Sequence, residues 1–363
     1  MSPDFFGFPM RILILLAKDD VSAPTDRGAA PRHEYKVLQD VLQADLIDFS
    51  HVRTSKRPLV RLARRLSLQH GLAALGFLRR RDFDRFYCTG EDVSIPFALL
   101  MLSVFDLGRI TSVIHNGGTR KRRVLFRVLP NRVWEHIICL SREQYRVLVD
   151  DVKLPAAIVQ QSPQWLDTEF YNPALCADPG TTPTERPLDY VFACGRESRD
   201  YETLQRAAEG LDIAFHVVAS GWSPGGSFAA TDSIRTAANI TVEAGGLSYR
   251  ELRDRYHSAR LVVVPVREVS YAAGVTSICE GMSMGKAVIA TSSPGTRDYV
   301  LEGQSGIVVP VGDAAALRAA IVSLWNDTDA LAQYGERNRA FAVSTLRVEL
   351  YAEGVARLLG ILR

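Results

Sequence analysis

The sequence has no uninterrupted apolar run near the roughly 18 residues that a membrane-spanning helix needs. Its N-terminal run, Ile12 to Ala17, stops at Lys18-Asp19-Asp20 without a small-residue cleavage pattern, and so reads as a buried first strand. Cysteine is scarce and scattered. Cys88, Cys139, Cys176, Cys194 and Cys279 form no CxxC pair, which argues against a disulfide framework and a zinc site and for reduced thiols in a cytoplasmic protein. Charge of one sign is also lacking: 43 Lys+Arg stand against 41 Asp+Glu. The excess is local, +5 over residues 1–180 and −3 over the rest, too small for a dedicated nucleic-acid binder. No GxGxxG follows a strand, which disfavours a nicotinamide dehydrogenase.

What is present is an ordinary globular composition, 47% hydrophobic and 23% charged, over 363 residues, a length that favours two domains. Short apolar runs alternate with longer amphipathic ones. Strands are expected at 11–17, 44–49, 84–88, 110–115, 136–140, 156–160, 188–194, 213–219, 239–242, 260–265, 286–291 and 306–309. Most are continuously apolar, as parallel strands covered on both faces are. Helical patterns lie between them, so the fold class is α/β with doubly wound sheets. Four prolines and small polar residues over 172–187 mark a linker, after which the rhythm restarts. The expected organisation is a domain over 1–171, the linker 172–187, a second domain over 188–345 and a final helix over 346–363. Ligands of open α/β sheets sit at the carboxyl ends of strands, which points to the cleft between the domains.

The richest stretch runs from Gly274 to Gly306. Gly274-Val275-Thr276-Ser277 opens a helix that Gly285-Lys286 closes, and a strand, Val288 to Thr291, follows. A glycine-led helix start offers unpaired N–H groups and a positive dipole end, both suited to a diphosphate. Glu280, further along the helix, is an acceptor-only group of the kind that holds ribose hydroxyls.

Glu280-Gly-Met-Ser-Met-Gly-Lys-Ala-Val-Ile-Ala-Thr, with Gly295, Tyr299-Val300, Gly303, Gly306 and Val309-Pro310, resembles family 4 glycosyltransferases, whose text is close to E-A-M-A-x-G-K-P-V-I-A. The likeness extends to Ile114-His115-Asn116-Gly117, Cys139-Leu140-Ser141, Leu166-Asp167-Thr168-Glu169-Phe170 and Cys194-Gly195-Arg196. It implies a GT-B fold of two Rossmann-like domains and a final helix crossing back to the first. It also implies transfer with retention from a UDP- or GDP-linked sugar to a hydroxyl acceptor, without cofactor or metal. The second domain would hold the donor and the first a carbohydrate, lipid-linked or small-molecule acceptor.

On the family's pattern Arg196 and Arg199 neutralise the donor diphosphate, Arg199 as a substitute for a lysine a few residues further on. His115 lies by the transferred sugar and Asn116 on the acceptor side. Gly28 approaches the diphosphate or the acceptor, Gly246 and Leu247 approach the base, and Val275, Thr276 and Ser277 contribute beside Gly274. The family has two glutamates separated by seven residues, but Ala272 stands where the first belongs. Tyr271 takes that place if the register follows Gly274, and Glu268 falls four positions early. Tyr271, Thr276 and Ser277 are the alternative sugar contacts. Two other readings remain: a sugar-nucleotide epimerase on the same fold, and an inactive nucleotide-sugar-binding scaffold. Arg61, Arg64-Arg65, Arg79-Arg80-Arg81 and Arg120-Lys121-Arg122-Arg123 surround helical stretches, including 59–78. They read as peripheral contact with anionic lipid at the inner membrane face or as an acidic-acceptor site, or more plainly as solvated helix faces.

Overall fold

The computed structural model describes residues 10–20, 28–117, 119–176, 189–195, 197–219, 238–243 and 246–362. Twelve strands form among them, one at each expected position. The first six are β1 (Ile12–Leu15), β2 (Asp45–Ile47), β3 (Arg85–Cys88), β4 (Ile110–Ile114), β5 (Trp134–Cys139) and β6 (Val159–Gln161). The second six are β7 (Tyr190–Cys194), β8 (Ala214–Val218), β9 (Ile240–Glu243), β10 (Leu261–Val264), β11 (Val288–Thr291) and β12 (Gly306–Val309). They make two separate parallel sheets, ordered β2-β1-β3-β4-β5-β6 and β12-β11-β10-β7-β8-β9.

Each sheet is covered on both faces, which is why its strands are apolar throughout. Leu13, Leu15, Phe86 and Ile114 face one side of the first sheet, and Ile12, Ile14, Tyr87 and Val113 face the other. In the second sheet, Phe192, Val262 and Val264 face one side, and Val191, Val263 and Ile289 the other. Alternate residues point to opposite faces, so each strand feeds two cores.

The stretch expected as one helix over 59–78 is two helices, Pro58–Ala63 and Leu68–Leu78. Ser67 starts the second by accepting the His70 N–H at 3.2 Å. Part of the basic cluster is internal: Arg122 pairs with Glu91 and Asp92, and Arg123 with Asp151. No described helix is long and apolar enough to cross a membrane.

The chain passes between the domains twice. Leu166, Phe170 and Tyr171 pack into the second core, and Leu166 exchanges backbone hydrogen bonds with Leu346 and Val348 at 2.7 and 2.9 Å. The helix Thr328–Thr345 lies on the second domain, whereas the final helix, Val348–Leu358, returns to the first. There Tyr351, Ala352, Val355, Ala356 and Leu359 close the face formed by Ile12, Ile14, Leu38 and Val113. Near the carboxyl ends of the strands, the Arg142 N–H donates to Asp298 at 2.8 Å and the Gln164 N–H to the Tyr299 hydroxyl at 2.7 Å. These bonds bring the mouths of the two sheets together.

Candidate active site

Strand order locates the site. In the first sheet β1 lies between β2 and β3, and in the second β7 lies between β8 and β10, so the winding direction reverses beside β1 and beside β7. At such a switch point the loops leaving neighbouring strands diverge and open a crevice. The loops after β1 and β3 carry Lys18, Thr89 and Gly90. Those after β7 and β10 carry Glu197, Arg199 and Tyr271 through Gly274. All of them line two adjoining cavities between the domains.

The cavity on the second-domain side has a volume of about 430 Å³ and is walled by Arg199, Gly274, Val275 and Thr276 against His115, Leu140 and Gln164. Gly274 has φ +84°, and a Cβ there would lie 2.8 Å from Val266 and 2.9 Å from Val264. Only glycine fits this turn. It starts the helix Val275–Ser283 without a side-chain cap, so the first-turn N–H groups are left for a ligand.

Arg199 lies beside that helix start. It donates to the carbonyl oxygens of Cys194 (3.0 Å) and Glu197 (2.9 Å) and to the Ser277 hydroxyl (2.8 Å). Three of its five N–H groups are thereby fixed, and a guanidinium held this way offers the rest in a set direction. Ser277 therefore serves the cavity indirectly, by clamping Arg199.

His115 ends β4. Its N–H and that of Asn116 each donate to a carboxylate oxygen of buried Glu91 at 2.9 Å. The His115 ring places Nε2 3.1 Å from the Thr89 carbonyl oxygen. A carbonyl only accepts, so Nε2 carries the proton and Nδ1 is the acceptor in the neutral ring. Asn116 donates and accepts through its backbone, yet its buried side-chain oxygen has no partner among the described residues. It lines the first-domain cavity, whose volume is about 540 Å³.

Glu280 is placed differently from a cleft residue. It is nearly buried and lines neither cavity. Its two oxygens accept the Tyr171 and Tyr256 hydroxyls, each at 2.8 Å. Burial raises its carboxyl above the usual range, opposed by the two tyrosine donors and by Arg199. A polar chain runs beneath the helix start: Arg199 to Ser277, Ser277 to the Cys194 thiol, Cys194 to Tyr256, and Tyr256 to Glu280. Burial pushes that thiol up to about 11, so it stays protonated.

The remaining expected residues divide. Tyr271 lines both cavities. Gly28 is half-buried in the turn before the helix Glu34–Leu42, outside both. Gly246 is exposed with open space around it, and Leu247 packs on the second core, also outside both. Arg196 lies outside the described residues. Three contributors escaped the sequence reading. Glu91 fixes the His115–Asn116 backbone, Gln164 lines the cavity on the second-domain side, and Glu197 lines both cavities. Glu91 left one signal, an acid directly after Gly90 at a helix start.

Two facing doubly wound domains, with a cavity at the carboxyl ends of both sheets and a chain-terminal helix returning to the first, define the GT-B class of fold. Residues 199–327 match the family model described as Glycosyl transferases group 1, a span that includes Arg199, Tyr271 and Glu280. No curated protein matches the chain. Among solved structures it is similar to HepE of Anabaena in complex with UDP and glucose, with 15% identity, TM-score 0.70, and coverage of 97% of this chain and 100% of that one. It is also similar to sucrose-phosphate synthase of Thermosynechococcus elongatus, with 14% identity, TM-score 0.70, and coverage of 96% and 98%. A glycosyltransferase of Rickettsia africae has 13% identity, TM-score 0.67, and coverage of 97% and 99%.

Proposed function

We propose that the chain is a glycosyltransferase that moves a sugar from a UDP- or GDP-linked donor to a hydroxyl acceptor. The observation that carries this reading is the pairing of Arg199 with the uncapped start of Val275–Ser283 at the switch point of the second sheet. Fixed cationic and dipolar donors suit a diphosphate, and they stabilise the charge that grows on it as the sugar leaves. The family-model match over the same residues supports the reading, as does the UDP and glucose in the complex of the similar HepE.

In this mechanism the diphosphate rests on Arg199 and on the N–H groups of Val275, Thr276 and Ser277, with Arg196 as a second cation. Glu280 is the residue of the motif assigned to the ribose; here its oxygens accept the Tyr171 and Tyr256 hydroxyls below the cavity wall, so it meets a ribose only where the donor displaces one of those tyrosine hydroxyls. Gly246 and Leu247, beyond the cavity wall, border the base. His115 accepts a hydroxyl of the transferred sugar on Nδ1, and Asn116 accepts from the acceptor. The reaction proceeds with retention and without a metal, the departing phosphate oxygen taking the acceptor's proton.

The test is Arg199→Ala and Arg199→Lys, read by UDP calorimetry and by nucleotide release from UDP- and GDP-sugars. Arg199→Ala should weaken UDP binding by about 10- to 100-fold. Arg199→Lys should recover only part of this, because a single ammonium cannot span three acceptors and a phosphate. Unchanged UDP affinity in Arg199→Ala would sink the assignment. UDP binding without turnover over a broad acceptor panel would favour a scaffold instead.

A further inference from the structure

Glu197 has a placement that its sequence context does not announce. Of the residues named around the two cavities, only His115, Glu197 and Tyr271 line both, so these three mark the junction. Glu197 is the single carboxylate among the residues lining the donor-side cavity, whose neighbouring wall, Ala272 and Ala273, offers no side-chain acceptor.

Its position is fixed from several directions. Its carbonyl oxygen accepts from Arg199 at 2.9 Å, and its carboxylate accepts the Tyr271 hydroxyl proton at 2.8 Å. The Ser198 hydroxyl lies 2.7 Å from the same tyrosine oxygen, and the Arg267 N–H donates to the Ser198 carbonyl at 2.9 Å. The loop after β7 is thus pinned to the loop after β10. The second carboxylate oxygen has no partner among the described residues, and the side chain is exposed to the cavity it lines. An ionised carboxylate only accepts hydrogen bonds, and vicinal hydroxyls suit its two oxygens. The Glu197 carbonyl oxygen holds Arg199 at 2.9 Å, and both side chains line the same cavity, so a diphosphate-linked sugar bound against Arg199 shares that cavity with the Glu197 carboxylate.

We propose that Glu197 reads the hydroxyls of the transferred sugar and that Tyr271 is the positioning residue that aims it. This rests on the donor reading above and makes Glu197 the specificity-determining acid of the site.

The experiment uses the full chain with Glu197→Gln, Glu197→Ala, Tyr271→Phe and the double variant Glu197→Ala/Tyr271→Phe. The probes are UDP alone and a panel of UDP-glucose, UDP-galactose and UDP-N-acetylglucosamine. Deoxy analogues of whichever donor the wild-type chain turns over best complete the set. Both Glu197 variants should lower kcat/KM for that donor by about 10- to 100-fold while UDP affinity stays within about twofold. The penalty should collapse for the one or two deoxy donors that lack the hydroxyl Glu197 holds. Tyr271→Phe should raise KM for the sugar donor more than it lowers kcat, and should add nothing once Glu197 is alanine. A uniform penalty across all donors with normal UDP binding would overturn the assignment alone. So would loss of a limb of the pH–rate profile with unchanged donor discrimination, since that would make Glu197 a base toward the acceptor. Failure of the wild-type chain to bind either UDP or GDP would overturn the donor reading and this assignment together.

Discussion

Lys286 closes the helix that carries the candidate donor site, and its amine lies half-buried, donating to the His257 carbonyl at 2.6 Å. Removal from water lowers its pKa to about 8. Between that value and the ordinary lysine value near 10.4, the unfolded chain holds a proton that the folded one has released. Stability then rises with pH across this window, and below it the folded state carries the full cost of a buried charge, about 3 kcal/mol. Lys286→Met should therefore stabilise the chain at pH 7, and its advantage over wild type should shrink toward zero by about pH 10.5. Urea denaturation of both proteins across that range decides it. A constant difference would mean that packing, not the charge, sets the effect.

At the scale of elements, two helices meet where neither has a side chain to spare. A Cβ on Gly335, in Thr328–Thr345, would sit 2.2 Å from the Gly285 carbonyl oxygen, and Asn338 one turn later donates to the Lys286 carbonyl at 2.8 Å. Gly335→Ala must push that helix off the site helix and should cost about 3 kcal/mol. Gly354→Ala, in the final helix with nothing within 4 Å of the new Cβ, should instead stabilise by about 0.5–1 kcal/mol. Chemical denaturation of the pair separates contact from propensity, and equal effects would refute the contact argument. These helices also show how much was legible. Runs such as Ile12–Leu15 and Val288–Thr291 announced buried parallel strands, and Gly274 announced its helix start. Strand order left no such trace, because β7 beside β10 is a pairing of residues some 70 positions apart and either order satisfies the same apolar pattern. Without the order, the switch points and the cavities between them could not be placed. Glu197 was invisible for the same reason. A charged loop residue has no periodicity, and the tyrosine that holds it lies 74 residues away. Glu280 announced itself by motif alone, and the motif was silent about Tyr171 and Tyr256, which occupy it from 109 and 24 residues away.

For the whole molecule, the question is what holds two domains around one cleft. Arg32 lies just before the first helix of domain one and reaches three acids in two other parts of the chain. It donates to both oxygens of buried Asp167 at 2.7 to 3.0 Å, lies 2.6 Å from Glu349 on the final helix, and lies 3.3 Å from Glu169. The segment carrying Asp167 also supplies Phe170 and Tyr171 to the second core, so this one cation ties both crossings between domains. Burial alone would raise the Asp167 carboxyl, but the hydrogen bonds and charge of Arg32 outweigh it and hold the group below its usual range. A depressed acid contributes stability that is present above the unfolded value, near 4, and is lost as pH falls through the lower folded value. Arg32→Ala leaves that carboxylate buried without its partner. A full burial would cost about 3–5 kcal/mol, and the half-exposed guanidinium argues for about 2. The expected result is a destabilisation of that size at pH 7 that narrows as the pH falls below about 4, first as the unfolded chain takes up a proton and then as the folded Asp167 does at its lower value. Arg32→Ala combined with Asp167→Asn should recover part of the loss at pH 7, because the uncompensated charge is then gone. If the single variant is equally destabilised at pH 7 and pH 3, the ion pair is not what Arg32 contributes. The crossings would then be held by the apolar contacts of Phe170, Tyr171 and the final helix alone.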